Sequence, residues 1–87
     1  MEIAVKVWNK MGLHARPAAL LARLAGRFQA KIGVAAGDKT AAADSVLALL
    51  MLGAGYGAEL RITAEGSDAG EALQEIQALF DAKFDED

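Results

Sequence analysis

Residues Met11-Gly12-Leu13-His14-Ala15-Arg16-Pro17-Ala18-Ala19 contain the only histidine and the only proline of an 87-residue chain. Proline fixes φ near the helical value and has no N–H to leave unpaired, so it belongs in the first turn of a helix and not deeper. A helix is therefore predicted to begin at Arg16 or Pro17. From Ala18 to Phe28 the chain is rich in Ala, Leu and Arg, and Leu20, Leu21, Leu24 and Phe28 recur at the i, i+3/i+4 spacing of an amphipathic helix. His14 then stands just ahead of that helix's unpaired amides.

On the N-terminal side, Ile3, Val5 and Val7 alternate with Glu2, Ala4, Lys6 and Trp8, which is the period of a strand over residues 2 to 8 with one covered side. A turn over Asn9, Lys10 and Gly12 leads from it to His14, which puts the histidine on an exposed connection. On the C-terminal side, Gly26 interrupts the end of the helix. Ile32, Val34 and Ala36 alternate again, and Ala36-Gly37-Asp38-Lys39 turns the chain back into a short strand, Thr40 to Ala43. That strand is poor on propensity and is assigned because a hairpin needs a second arm.

Asp44 or Ser45 caps a short helix from Val46 to Leu52, ended by Gly53. Leu60, Ile62 and Ala64 mark a last strand over 59 to 65. A final helix carries Ala72, Leu73, Ile76, Leu79, Phe80 and Phe84 on one face, with Glu71 in its first turn. The order β-α-β-β-α-β-α indicates an α+β fold, with helices packed on one side of an antiparallel sheet. The length sets a single domain, residues 1–87.

The chemistry converges on His14. A helix N-terminus offers free backbone donors and the positive end of the macrodipole, so it attracts anions such as phosphate. Amides around Ala15, Pro17 and Ala18 are placed to hold phosphoryl oxygens, and the Arg16 guanidinium adds a charged fork. His14 is the nucleophile of this set. The competing reading is a lone histidine that only caps the helix or packs at its edge.

The octet Gly12-Leu13-His14-Ala15-Arg16-Pro17-Ala18-Ala19 decides between them, because it resembles the active-site signature of HPr, the histidine-containing phosphocarrier family of the bacterial phosphoenolpyruvate:sugar phosphotransferase system. Chain length, the order of apolar segments, the Ser45–Gly53 stretch and the final helix also resemble that family. The resemblance implies an open-faced β-sandwich, a four-stranded antiparallel sheet with three helices on one face. It implies a carrier, not an enzyme: His14 takes a phosphoryl group from enzyme I, on Nδ1 in that family, and passes it to enzyme IIA-type proteins for sugar uptake. Relatives in the family serve a nitrogen-related branch or act as regulators.

The same resemblance gives Ser45 two further meanings. In some bacteria an HPr kinase phosphorylates the serine at this position, and the apolar residues matching Val46, Leu47 and Leu50 help dock partner enzymes. Seven consecutive apolar residues, Val46 to Leu52, exceed what one face of a short helix can bury, which supports an exposed docking patch. Asp44 argues against the kinase, since the regulated proteins carry a basic residue there and a neighbouring negative charge repels phosphate. Arg23 and Arg27 extend a basic rim from Arg16 toward acidic partners, or are simply a solvated helix face.

Asp44-Ser45-Val46-Leu47 also resembles the Asp-Ser-Leu site where acyl carrier proteins receive phosphopantetheine. Those carriers are helical bundles, whereas three stretches here alternate as strands. Gly53-Ala54-Gly55-Tyr56-Gly57 follows a helix and lacks the Lys-Ser/Thr ending of a P-loop, so it reads as a flexible connection. Trp8 and Tyr56 read as packing residues.

Composition sets outer bounds. A net charge of −3 with pI near 5.0 does not suit a nucleic-acid binder. Without cysteine there is no disulfide or thiolate chemistry, and one histidine cannot assemble a metal centre. No cofactor is implied. No apolar run approaches a membrane span and no leader is visible, so the expected protein is cytoplasmic, without membrane insertion, and monomeric as it shuttles between partners.

Overall fold

The alternating segments pair as strands because each offers one apolar face to a common layer of helices. The computed structural model describes residues 1–85, so the last two positions of the expected 1–87 domain lie outside the described residues. Strands β1 (Glu2–Lys6), β2 (Lys31–Ala36), β3 (Lys39–Ala42) and β4 (Glu59–Glu65) form one sheet in the order β1-β4-β2-β3, with every neighbouring pair antiparallel. Register places Ile3 opposite Ile62, Ile62 opposite Val34, and Val34 opposite Ala41, so one apolar row crosses all four strands. The next row, Ala4, Arg61, Ala35 and Thr40, lies on the other face. In β4 burial alternates strictly, with Leu60, Ile62 and Ala64 buried and Glu59, Arg61, Thr63 and Glu65 exposed. This is the pattern of a sheet covered on one side.

The cover consists of α1 (Ala15–Ala25), α2 (Val46–Met51) and α3 (Ala69–Asp81). Helix α1 buries Pro17, Ala18, Leu21 and Ala25, and α3 buries Ala69, Ala72, Leu73, Ile76 and Phe80. Each fully buried Leu, Ile or Phe contributes roughly 1.5–3 kcal/mol relative to an exposed one. The small alanines let the helices approach the sheet closely. The result is the open-faced, four-stranded α+β arrangement expected from the sequence.

Several boundaries differ from those the sequence predicts: β1 stops at Lys6 and not at residue 8, β3 runs from Lys39 to Ala42 and not from Thr40 to Ala43, and α2 ends at Met51 and not at Leu52. Helix α1 starts at Ala15, one residue before Arg16 and two before Pro17, and it ends at Ala25, where Gly26 interrupts it, so that Phe28 lies beyond the helix. Past Gly26 the amides of Arg27 and Phe28 bond three residues back, to Leu24 and Ala25, and the helix tightens out of register. Phe84 does not extend the stripe of α3. That helix stops at Asp81, and Lys83–Asp85 form a left-handed turn with φ of +54°, +54° and +60°. From this turn Phe84 still reaches the core, with its ring edge-on to Phe80 at 4.8 Å between centroids.

The α1–β2 connection is fastened to the start of α3. Both carboxylate oxygens of Asp68 accept backbone N–H groups, from Gln29 and Ala30, each at 2.8 Å. Gly66 makes room for this contact: its φ is +142°, and a Cβ there would lie 2.8 Å from the Ala30 Cα.

Candidate functional site

His14 sits where the β1–α1 loop becomes a helix. It occupies the N-cap position of α1 with extended backbone, φ −85° and ψ −168°, and its side chain makes no capping hydrogen bond. Its carbonyl accepts the Ala18 N–H at 3.0 Å. Since Pro17 has no N–H and the Ala18 amide is engaged in this bond, the first-turn donors left to an incoming anion are those of Ala15 and Arg16. Of the amides expected around Ala15, Pro17 and Ala18, one remains, and Arg16 contributes its own.

The charge setting suits an anion. No acidic side chain lies in the first turn of α1. Arg16, Arg23 and Arg27 are all exposed; Arg23 lies two helical turns from Arg16 on the same face of α1, and Arg27 lies just past the end of that helix. The described residues include no group of three or more His, Cys, Asp or Glu placed to hold a metal. No helix among them is long and apolar enough to cross a membrane.

The loop that delivers His14 is held in place on both sides. Gly12 N–H donates to the Asn9 carbonyl at 3.0 Å, and the Asn9 Nδ2 donates to the Gly12 carbonyl at 2.9 Å. Across the same peptide, Leu13 N–H donates to the Ala54 carbonyl at 2.9 Å. Only glycine fits at position 12, where φ is +71° and a Cβ would meet Ala54 O at 2.6 Å and Gly55 Cα at 2.8 Å. Leu13 is buried and anchors the loop from below.

The composition of Gly53–Gly57 predicts a flexible connection. Instead it lies against the His14 loop through Ala54, and it is also bonded to the end of β1, with Gly57 N–H to the Val7 carbonyl at 2.7 Å. Trp8 and Tyr56 pack on each other at the surface. They stand 42% and 62% exposed, edge-to-face with centroids 6.1 Å apart. The order in which two separate loops meet is invisible to periodicity, and only the glycine-rich composition of 53–57 hinted at a close approach.

Helix α2 borders the site and presents an apolar surface. Ser45 caps it by accepting the Ala48 N–H at 3.2 Å, which is the structural role that its position predicts. Leu49 and Leu52 are buried, but Val46, Leu47, Leu50 and Met51 are exposed by 36%, 70%, 37% and 69%. Ala54, just beyond α2, accepts the Leu13 N–H, which ties the end of this helix to the His14 loop. Met11, 77% exposed in the His14 loop, is a further apolar side chain that the sequence reading passed over.

Fold and site together define a phosphocarrier: a two-layer domain that displays one histidine at the positive end of a helix, beside an apolar surface. Comparison with known proteins agrees. The family profile described as "PTS HPr component phosphorylation site" matches residues 1–82. Phosphocarrier protein NPr of Shewanella violacea is 51% identical over 86 residues, covering 99% of this chain and 94% of that protein. The crystal structure of HPr-C-His from Thermoanaerobacter tengcongensis superposes with a TM-score of 0.95 at 37% identity, covering 100% and 98% of the two chains. An HPr dimer from the same organism does so with a TM-score of 0.78 at 37% identity, covering 97% of each. The chain belongs to the HPr family of phosphocarrier proteins of the phosphotransferase system.

Proposed function

We propose that His14 accepts the phosphoryl group, taking it from enzyme I and passing it to an enzyme IIA-type acceptor. The observation that carries this reading is the placement of the histidine at the N-cap of α1 with the Ala15 and Arg16 amides open beside it. The lone pair of a neutral imidazole nitrogen attacks the phosphorus of the donor's phosphohistidine. The new N–P bond forms as the donor's N–P bond breaks, and the electron pair returns to the donor ring. One phosphoramidate replaces another, so the exchange is nearly balanced and runs in both directions. The carrier's part is to orient the ring, to meet the phosphoryl oxygens with the two amides and the Arg16 guanidinium, and to dock. Val46, Leu47 and Leu50 form the apolar part of the docking surface, and Arg23 and Arg27 its basic rim.

We read the chain as one such domain, working in the cytoplasm as a monomer between partners. Two acceptor branches are open to it: sugar uptake, and the nitrogen-related branch. Incubation with phosphoenolpyruvate and purified enzyme I tests the core of the reading. Acid-labile, alkali-stable phosphate is expected on the wild type and absent from His14→Ala; label that persists in the variant would move the acceptor elsewhere. Chasing the labelled carrier with IIA proteins of each branch identifies the acceptor, and sedimentation of the carrier reads its oligomeric state.

A further inference from the structure

We infer that Asn9 is a positioning residue for phosphoryl transfer at His14, an inference that rests on His14 being the acceptor. Asn9 is 1% exposed and is the single buried polar side chain among the described residues. A buried amide is costly unless its hydrogen bonds hold something in place. What Asn9 holds is the Gly12–Leu13 peptide, two bonds of backbone freedom ahead of His14.

That peptide is gripped at both ends. Its carbonyl takes the Asn9 Nδ2–H at 2.9 Å, and its N–H reaches the Ala54 carbonyl at 2.9 Å. The Asn9 main-chain carbonyl adds a third restraint by accepting Gly12 N–H at 3.0 Å. The peptide plane cannot rotate without breaking one of these bonds, and Leu13 cannot swing because its side chain is buried. Downstream, the His14 carbonyl is fixed by Ala18 N–H. The imidazole is therefore mounted between two immobile peptides, and its bearing relative to the Ala15 and Arg16 amides follows from the Asn9 bond. Asn9 acts through the peptide that it holds.

Removing the side chain frees the Gly12 carbonyl and lets the loop settle elsewhere. Small misplacements of a reacting group cost up to a hundredfold in rate, so Asn9→Ala is expected to slow phosphorylation by enzyme I about ten- to a hundredfold. Docking uses other residues, so the KM for enzyme I is expected to stay within about twofold while kcat falls.

The experiment compares wild type, Asn9→Ala, Ile62→Val and His14→Ala at a temperature well below every melting point. Ile62→Val is a core change in the middle of β4 that costs stability without touching the loop. The readouts are kcat and KM for phosphorylation, and the imidazole 15N resonances of His14. A kcat loss in Asn9→Ala with shifted imidazole resonances, absent in Ile62→Val, supports the proposal. Unchanged kcat, or a loss matched by Ile62→Val with unmoved resonances, overturns it. Label retained on His14→Ala would overturn the acceptor assignment first, and this proposal with it. If Asn9→Ala does not fold, Asn9→Ser, whose hydroxyl is too short to span to the Gly12 carbonyl, is read in the same way.

Discussion

At the scale of single residues, His14 and Arg16 divide the chemistry. The imidazole forms the bond to phosphorus, and the guanidinium meets charge that is present only when a phosphoryl group is there. Arg16 is exposed in the free protein, so nothing in the fold depends on it. Arg16→Ala is therefore expected to leave the melting temperature unchanged while removing a charge-assisted hydrogen bond worth about 1.5–3 kcal/mol, roughly ten- to a hundredfold in transfer rate. Stopped-flow transfer from phosphorylated enzyme I, beside a thermal melt, checks both halves. These residues were legible because Pro17 fixes where a helix can begin, and whatever precedes it must face the free amides. Asn9 was legible only as a turn residue. Its importance lies in which carbonyl its side chain reaches, and that depends on the conformation of Gly12.

At the scale of elements, α2 shows how an apolar run can be read before its partner is known. A six-residue helix in which every side chain is apolar cannot turn all of them inward, and the excess stays in solvent: Leu47 and Met51 are each about two-thirds exposed or more, while Leu49 is fully buried. Exposed substitutions of this kind move stability by no more than about 0.5 kcal/mol. Leu47→Ser is expected to leave the urea midpoint unchanged yet raise the KM for a phosphotransfer partner about fivefold or more, the scale of an interface anchor lost. A KM equal to wild type would remove Leu47 from the docking surface. Three of the strands were readable from alternation, whereas β3 was assigned only as the second arm of a hairpin, because its alanines have little strand propensity of their own. Its register with β2 is supplied by the hairpin and by Val34 facing Ala41. The end of α3 was misread for a related reason: Phe84 keeps its burial but reaches it by a left-handed turn, a route that hydrophobic spacing cannot distinguish from one more helical turn.

At the scale of the whole molecule, the two layers are fastened at the end of α1 by Asp68, whose carboxylate takes two amides from the connection into β2. Asp68→Ala leaves both donors without that acceptor, one of them partly buried. The expected loss of about 1.5–3 kcal/mol should appear as a lower urea midpoint with an unchanged m-value, and phosphorylation of His14 well below the transition should proceed at the wild-type rate. A stability equal to wild type would show that water replaces the carboxylate at no cost. The sheet order that makes this fastening possible was not legible in the strands themselves. Any of several antiparallel orders satisfies their alternation, and the observed one sets β4 between β1 and β2 with both of its edges paired.

The bond from Leu13 to Ala54 also has a meaning in time. It joins positions some forty residues apart, and the neighbouring bonds of Val7 to Gly57 and Ala58 reach further still. Contacts so distant in sequence form late, because the intervening chain must be closed before they repay its lost entropy. A nascent chain that has emerged only as far as α2 carries its histidine and its helix, yet the loop that leads to the histidine has nothing to lean on. Readiness to carry phosphate is thus acquired near the completion of folding, and a half-made carrier offers its partners a histidine without a fixed bearing.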